Sequence, residues 1–299
     1  MTDPLAQVIN LLRPGEVSSK RISGAGRWGV RYSAFGHPSF CVVLEGSCLL
    51  AVEGHAAITL LAGDFVLLPR TPAFTMSGFE PVKAVDVAAD VAATQTGEVR
   101  HGRRGGRPDV RLLGGYFVFD SPDAALLVSL LPALVHLRGI ERLSTWVRLV
   151  ADEAAERRAG RELVLTRLVE ILIVEALRAA PHDDAPPGLL RGLADARLAQ
   201  AIRQLHANPA RSWTVEQLAT KAALSRSAFF ERFTRAVGLT PMEYLLAWRM
   251  ALAKDFLRRD DLGLDEVAER VGYASASTFS TAFSRHVGQA PGRFARAAA

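Results

Sequence analysis

The strongest constraint on this chain is a pattern near its carboxyl end that occurs twice. Six residues of the first copy are found again fifty positions later in the second copy. The matched pairs are Ser225 and Ser275, Ser227 and Ser277, Phe229 and Phe279, Phe233 and Phe283, Gly238 and Gly288, and Pro241 and Pro291. Six identities in one register indicate one structural unit present in two copies.

Each copy has the pattern of a short helix, a tight turn and a second helix. In the first copy the apolar positions are Val215, Leu218 and Ala219, followed by Phe229, Phe233 and Val237. Thr214 and Ser225 are placed to cap the two helices. Because Phe229, Phe233 and Val237 recur at i, i+4 and i+8, one face of the second helix must be buried. The opposite face is left free for a partner.

The second copy repeats this pattern after a connecting helix. Pro241 opens that helix, which we expect to continue through Phe256 and to hold the copies at a fixed separation. The apolar positions of the second copy are Leu264, Val267 and Ala268, followed by Phe279, Phe283 and Val287. Its turn, at Gly272 and Tyr273, is one residue longer, because the offset between the copies changes by one there.

Residues 191 to 296 resemble the two-motif DNA-binding domain of the AraC/XylS transcription regulators. The closing signature of that family is matched here by Gly272, Tyr273, Ser275, Ser277, Phe279, Ser280, Ala282, Phe283, Gly288 and Pro291. In that family both second helices enter successive major-groove faces on one side of the duplex. The resemblance therefore implies double-stranded promoter or operator DNA as a partner, and RNA polymerase as the contact through which activation occurs.

Charge is divided unevenly between the two halves of the chain. Residues 189 to 299 carry 16 basic and 10 acidic side chains, whereas the first 188 residues carry 20 basic and 21 acidic ones. A basic carboxyl-terminal half beside a nearly neutral half favours a polyanionic partner for the former only.

Length and composition indicate two globular domains in the cytoplasm. The chain has 299 residues, 49% of them hydrophobic, which is enough for two cores. It contains no run of eighteen apolar residues and no pattern of a signal peptide at Met1 to Asn10.

Cys41 and Cys48 are too few for a disulfide framework and lack metal-site spacing with histidine. They could form a redox pair, but two buried thiols fit better, because hairpin geometry would make them diagonal neighbours.

The amino-terminal half begins with a predicted helix, Pro4 to Leu12, and continues with short strands. Strands are predicted at Arg27 to Phe35, Phe40 to Leu44, Ser47 to Val52, His55 to Leu61, Phe65 to Leu68, Lys83 to Val87 and Val110 to Phe119. Glu45 and Gly46 should form the turn of a hairpin. Many short strands with regular turn signals predict a sandwich or jelly roll, and an α+β chain overall.

Residues 40 to 69 resemble a cupin barrel, and more closely the cupin-like sensor half of some AraC-type regulators. The resemblance extends over about residues 5 to 180. Metal-binding cupins have a pair of histidines before the hairpin and another histidine about five residues after the proline. Here the histidine before the hairpin is His37 alone, and Phe74 stands five residues after Pro69. We therefore expect no metal and no other cofactor.

From Pro122 the apolar period changes to that of helices. One helix is predicted through Leu134, a second is predicted from a cap at Ser144, and a third covers residues 163 to 177. The third helix is apolar on almost every side, so it should pack on the barrel and on a second subunit, although burial within one domain is the alternative. The prolines and glycine of residues 180 to 188 indicate a linker. The predicted division is a sensor and dimerisation domain at 1 to 180, a linker at 181 to 190, and a DNA-binding domain at 191 to 299.

Helical geometry and the family resemblance select the residues that would contact DNA. On the first recognition helix they are Arg226, Ser227, Phe230, Glu231, Thr234 and Arg235, and on the second they are Ser277, Ser280, Thr281 and Arg285. Ser227, Phe230 and Glu231 would contact bases, whereas Arg226, Arg235 and Arg285 would bind phosphate. Core packing is the alternative for Phe230. An arginine common in the family at the position of Thr281 is absent, which predicts weaker base readout by the second helix.

The barrel offers candidate effector contacts where metal-binding cupins place their ligands. These candidates are Trp28, Tyr32, Phe40, Phe74 and Met76, which would surround an apolar or aromatic small molecule. Three functions compete: a homodimeric regulator or activator responsive to a small molecule or stress, a cupin enzyme (isomerase or dioxygenase) joined to a DNA-binding domain, and a constitutive structural DNA binder. The regulator explains both halves, whereas the enzyme needs catalytic histidines or acids that are missing where expected.

Overall fold

The computed structural model describes residues 3–12, 14–88, 98–119, 131, 133–155, 158–179, 187–259 and 262–298. These residues form two compact units. The barrel unit contains all ten described strands together with helices α2 and α3, and the helical unit contains the remaining described helices. None of the helices within the described ranges is long and apolar enough to cross a membrane.

The described helices follow one another in this order: α1 (Pro4–Leu12), α2 (Glu141–Ala155), α3 (Arg161–Ala179), α4 (Leu189–Ala194), α5 (Ala196–Ala207), α6 (Val215–Lys221), α7 (Arg226–Val237), α8 (Pro241–Arg259), α9 (Leu264–Arg270), α10 (Ala276–Val287) and α11 (Pro291–Ala298). Residues 181–186 of the predicted linker lie outside the described residues, as do residues 122–130 of the first helix predicted after Pro122. Ser144 lies inside α2, so the prediction that it caps a helix was wrong: its amide donates to the carbonyl of Ile140, because the helix begins earlier.

The strands are β1 (Pro14–Ala25), β2 (Gly29–Tyr32), β3 (Ser39–Val52), β4 (Ile58–Leu61), β5 (Phe65–Leu68), β6 (Phe74–Ser77), β7 (Val85–Val87), β8 (Glu98–Gly102), β9 (Val110–Phe119) and β10 (Val135–Leu137). Their order is β7-β2-β6-β3-β9-β1-β8, with β4 and β5 paired to β3 and β10 paired to β5. The pairs β1 with β8 and β2 with β7 are parallel, and the others are antiparallel. The result is a mixed cupin-like half-barrel.

The long strand β3 belongs to both halves of the curved sheet. Residues up to Gly46 pair with β9 and β5, and residues from Ser47 onward pair with β4 and β6. The predicted hairpin at Glu45 and Gly46 was therefore wrong. Gly46 has a φ of 73°, and a Cβ there would lie 1.8 Å from the carbonyl oxygen of Asp109. A glycine in a strand pattern signals a bulge or a close approach as readily as a turn, and β3 here bends where it meets β9.

Two predicted strands agree closely with the structure, whereas four of the described strands, β1, β6, β8 and β10, were not predicted. Residues 65–68 and 110–119 are β5 and β9 as predicted. The longest of the four is β1, which lies between β9 and β8. The serines, lysine and glycines of β1 hide the alternation of apolar and polar residues that marks a strand in a sequence. The backbone of β1 is stabilised by the neighbouring strands and not by an apolar stripe of its own.

Helix α3 buries one side and exposes apolar residues on another. Its buried residues are Leu165, Val169, Leu172, Ile173, Ala176 and Leu177. Leu163 is 63% exposed, Ile171 is 37% exposed, and Leu149 of α2 is 44% exposed. The barrel unit by itself therefore leaves apolar surface of α2 and α3 in contact with solvent.

Helix α1 packs with α5 and α8 in the helical unit. The residues it buries include Leu5, Val8 and Leu12. A polar contact joins the same elements: the side-chain oxygen of Gln7 lies 2.8 Å from Nδ1 of His206 on α5. The assignment of residues 1 to 180 to a single domain stays a prediction.

Candidate nucleic-acid interface

The first helix-turn-helix copy is built by α6 and α7, and its caps are the predicted residues. Thr214 and Gln217 form a reciprocal capping box, in which each side chain accepts a hydrogen bond from the backbone amide of the other residue. Ser225 caps α7 through a 3.3 Å hydrogen bond from the amide of Ala228. The turn between the helices passes through Ala223, which has a positive φ of 51°.

The buried side of α7 fixes which side faces outward. Phe229 and Phe233 have no accessible surface, and their ring centroids lie 5.5 Å apart. The helix ends at Gly238, whose φ of 83° provides a left-handed cap. The predicted burial of Phe229, Phe233 and Val237 is confirmed.

The second copy, α9 and α10, reproduces these features. Phe279 and Phe283 are fully buried with ring centroids also 5.5 Å apart, and α10 ends at Gly288 with the same φ of 83°. Residues 222–225 separate α6 from α7, whereas residues 271–275 separate α9 from α10. The predicted extra residue in the second turn is therefore confirmed.

Helix α8 connects the copies and contributes to both cores. Tyr244 contacts the ring of Phe233 in the first copy, and Met250 belongs to the core of the second. Arg249 of the same helix donates hydrogen bonds to the carbonyls of Pro209 and Arg211, at 2.8 and 2.9 Å. A single helix packed into both cores keeps the two copies at a fixed separation within the helical unit.

The outward side of α7 carries the predicted DNA-contacting residues. Arg226, Ser227, Glu231 and Arg235 are exposed, and Thr234 is half-buried. Phe230 is 41% exposed. Core packing therefore does not explain Phe230, which presents an aromatic surface on the same side as Ser227 and Glu231.

Two of these side chains have partners within the protein. Nε of Arg226 lies 2.6 Å from a carboxylate oxygen of Glu216 on α6, with both side chains more than half exposed. An exposed ion pair of this kind is weak, so the guanidinium can exchange Glu216 for a phosphate. The hydroxyl of Thr234 donates to the carbonyl of Phe230 at 2.8 Å.

Helix α10 presents shorter side chains outward than α7. Ser277, Thr281 and Arg285 are exposed, and Ser280 is half-buried. The hydroxyl of Thr281 donates to the carbonyl of Ser277 at 3.1 Å, so its proton is already engaged. The contact roles of the residues on both helices stay predictions.

The barrel unit contains a largely apolar cavity of about 120 Å³. Four of the five predicted effector contacts line it: Tyr32, Phe40, Phe74 and Met76. Tyr32 and Phe74 stack with ring centroids 4.9 Å apart. Sequence reasoning missed the contribution of β1, where residues 18–20 and Ile22 complete the wall, because it missed the strand itself.

Trp28 is the predicted effector contact that does not line this cavity. Its indole stacks on the ring of His101 at 6.0 Å and fills the space above Gly24. A Cβ at Gly24 would lie 2.3 Å from the indole, so that glycine is needed for the ring to fit. Trp28 is thus a packing residue in the core of the barrel unit.

The phenol of Tyr32 and the thiol of Cys41 in the cavity wall, and the nearby thiol of Cys48, are held in neutral form. Burial, together with the neighbouring Cys41, raises the pKa of Tyr32 to about 12. Burial raises the pKa of Cys41, and burial with the nearby Asp64 carboxylate raises the pKa of Cys48 to about 12. Both cysteines are free thiols. Within the described part of the chain, no three His, Cys, Asp or Glu side chains converge as a metal site would require.

Comparison with known proteins agrees with both halves of this architecture. A family model described as a cupin matches residues 3–181, and one described as a helix-turn-helix domain matches residues 218–297. Two AraC-like transcription regulators, from Streptomyces lividans and Streptomyces antibioticus, are 38% and 36% identical to this chain. Each alignment covers 98% of this chain, with 97% and 98% of the respective relative.

A further relative is the HTH-type transcriptional regulator AlkR of Acinetobacter baylyi, which is 28% identical over 97% of both chains. A cupin-like half-barrel with two helix-turn-helix copies defines a DNA-binding transcription regulator that carries a cupin-like domain. This chain belongs to the family of AraC-like transcription regulators.

Proposed function

We propose that this regulator activates transcription in the cytoplasm, without catalysing a reaction, when a small molecule or stress signal acts on its cupin-like domain. The observation that carries the proposal is the presence of an apolar cavity in the barrel unit of a chain that also has two outward recognition faces. A ligand that binds one arrangement of the protein better than another shifts the population toward that arrangement. Promoter occupancy would change with it.

The DNA-binding part of the proposal rests on the exposed faces of α7 and α10. We expect the full chain to occupy a small set of promoters in the genome and to bind duplexes from them with a steep salt dependence. Genome-wide occupancy sequencing followed by titration at several salt concentrations measures both. Binding that is equally tight for a promoter duplex and a scrambled duplex would instead favour a non-specific structural role.

The size and chemistry of the cavity restrict the proposed effector. A cavity near 150 Å³ lined by apolar residues accepts benzene, so a cavity of about 120 Å³ suits a compact apolar molecule, or the apolar end of a longer one. Compounds of graded size should raise the melting temperature until they exceed roughly one aromatic ring in width. A Val66→Phe variant, which fills the cavity, should lose this response, and a Trp28→Phe variant should keep it.

Homodimer formation is proposed from the apolar surface of α2 and α3. Leu149, Leu163, Val164 and Ile171 are exposed there, and an apolar patch of this kind usually marks an interaction surface. Sedimentation analysis of the full chain should give a dimer, and Ile171→Asp should shift it toward monomer. A monomeric wild-type protein at micromolar concentration would contradict this part of the proposal.

Activation is proposed to occur through contact with RNA polymerase, as the family resemblance implies. Transcription from an occupied promoter, reconstituted with purified RNA polymerase, should increase when the regulator and its effector are added. A decrease would instead make the protein a repressor. Metal analysis of the same preparation tests the alternative of a cupin enzyme, which would carry a stoichiometric metal.

A further inference from the structure

Beside α7 lies an open groove lined by four arginines. The arginine groove is defined by Arg191 of α4, Arg197 of α5, Arg232 and Arg235 of α7, and Asp195 between α4 and α5. With four guanidinium groups and one carboxylate, these residues carry a formal charge of +3. A concentration of positive charge on one side of a small helical unit creates a field that attracts a polyanion.

The one carboxylate in the groove already accepts hydrogen bonds from groups of the protein. Asp195 caps α5 by accepting hydrogen bonds from the amides of Arg197 and Leu198, at 3.0 and 3.3 Å, and it also accepts a hydrogen bond from Arg232. Partial burial acts to raise the pKa of Asp195, but the hydrogen bonds from Arg232 and the two amides lower it overall. Asp195 therefore stays charged at neutral pH and pairs with Arg232, and the five groove residues together keep their formal charge of +3.

Helix α4 is held tightly against α7. The amide of Gly188 donates a 2.9 Å hydrogen bond to the carbonyl of Ala236, and Leu189 is buried. A Cβ at Gly192 would lie 2.8 Å from Cδ1 of Ile202 and 2.9 Å from Cγ2 of Val237. A side chain at position 192 would have to displace these two methyl groups, so the close packing at Gly192 and the Gly188 hydrogen bond hold the backbone that carries Arg191 beside α7.

Arg235 connects the groove to the DNA-facing side of α7. It follows Glu231 by one helical turn on the same side of the helix, and it also lines the groove. A duplex lying against Ser227 and Glu231 would therefore continue past Arg235 toward Arg197 and Arg191. Guanidinium groups bind phosphate oxygens in a bidentate manner, which suits this position better than contact with bases.

We propose that the arginine groove binds backbone phosphates of the DNA that flanks the half-site contacted by α7. The inference rests on the proposed DNA-binding function and adds a second point of contact, made by helices outside the helix-turn-helix motif. Phosphate contacts fix register and orientation and carry no sequence information directly. The groove therefore strengthens binding to all duplexes by the same factor.

The test compares arginines on the same helix. Arg197→Ala removes a groove residue, and Arg203→Ala removes an exposed arginine of α5 that does not line the groove. Each full-length variant is titrated with an occupied promoter duplex and with a random-sequence duplex of equal length. We expect Arg197→Ala to reduce the slope of log K against log salt by about 1, and the double variant with Arg191→Ala to reduce it by about 2, on both duplexes. Arg203→Ala should leave the slope unchanged.

A gain of affinity provides the second arm, because misfolding cannot produce it. Asp195→Asn keeps an oxygen that can cap α5 and removes the negative charge, so binding to both duplexes should become several-fold tighter. If the wild-type slope is steep and the double arginine variant matches it, or if Arg203→Ala has the same effect as Arg197→Ala, the groove proposal is overturned and DNA binding itself stands. If the wild-type protein binds neither duplex, the proposed function fails first.

Discussion

The two helix-turn-helix copies share a backbone but differ in the side chains that they present outward. Both second helices have phenylalanine rings 5.5 Å apart on the buried side and end at a glycine with a φ of 83°. On the outward side, Arg226, Phe230 and Glu231 of α7 correspond to Ala276, Ser280 and Thr281 of α10. Packing thus restricts the buried side equally in both copies, whereas each outward side is free to differ according to what it contacts.

The turns differ in a second way. Ala223 and Gly272 occupy the same place in the two turns, and in both copies the next amide donates to the carbonyl of the last alanine of the first helix. Both residues have a positive φ, 51° for Ala223 and 82° for Gly272. The second turn requires glycine because Ala210 lies beside it, whereas Ala223 is exposed and tolerates a Cβ at the cost of strain.

The largest expected effect tests the equality of the two cores. Phe229→Ala and Phe279→Ala should each lower the free energy of unfolding by about 3–5 kcal/mol, because each removes a fully buried ring. Amide hydrogen exchange on the full chain should show faster exchange in α7 for the first variant and in α10 for the second. Phe230→Ala is the control, since its partly exposed ring should cost less than about 1 kcal/mol. A much smaller loss for one buried ring than for the other would show that the cores are not equivalent.

The next effect separates the two turns. Gly272→Ala should lower the free energy of unfolding by about 2 kcal/mol or more, because its Cβ would lie 2.5 Å from the carbonyl oxygen of Ala210 in a left-handed backbone conformation. The reverse exchange, Ala223→Gly, should change it by less than about 1 kcal/mol, since relief of strain offsets the added freedom of the unfolded chain. Chemical denaturation of the full chain measures both, and equal effects at the two positions would contradict the comparison.

Lowering the pH should distinguish the two helix-turn-helix copies, because it should destabilise the first copy. His206 lies in the first core, where Nε2 is 2.6 Å from the hydroxyl of Tyr244 and Nδ1 faces the side-chain oxygen of Gln7. Burial lowers the pKa of His206 to about 3, so the unfolded chain binds a proton that the folded chain does not between that value and the ordinary 6.5. The contribution of neutral His206 to the free energy of unfolding is fully present above pH 6.5. It is lost as the pH falls, by about 2 kcal/mol near pH 5.

His206→Gln provides the control for this effect. Glutamine can accept and donate hydrogen bonds without titrating, so the difference in stability between wild type and variant should shrink between pH 7 and pH 5. Urea denaturation at several pH values gives that difference directly. A difference that stays constant over this range would mean that His206 is not held neutral.

The smallest effect concerns base readout. Glu231→Ala should cost about 1–3 kcal/mol of discrimination at the base pair it contacts, because a carboxylate can accept a hydrogen bond from cytosine N4. Thr281→Ala should cost less than about 0.5 kcal/mol, since the Thr281 hydroxyl already donates to Ser277. A scan of substituted operators with each variant measures both losses. Equal discrimination at the two half-sites would refute the predicted asymmetry.

Features that depend on residues close together in the sequence could be predicted, whereas features that depend on residues far apart in the sequence could not. The caps Thr214 and Ser225 and the spacing of Phe229 and Phe233 are set by neighbours within a few residues, and the structure has them as predicted. Strand β1 and the bend at Gly46 depend on partners far along the chain, such as β9, which periodicity does not reveal. For the same reason, four residues of the cavity could be selected as apolar candidates, but Trp28 could not be separated from them.

The position of α1 has a consequence for the order in which the molecule is made. Its apolar side, with Leu5, Val8 and Leu12, packs with α5 and α8, which leave the ribosome long after it. At synthesis rates of roughly 5–20 residues per second, the more than 200 residues that separate α1 from α8 correspond to a wait on the order of 10–50 s. The packing of the helical unit therefore cannot be completed before α8 has been synthesised, and until then the apolar side of α1 lacks one or both of these partners.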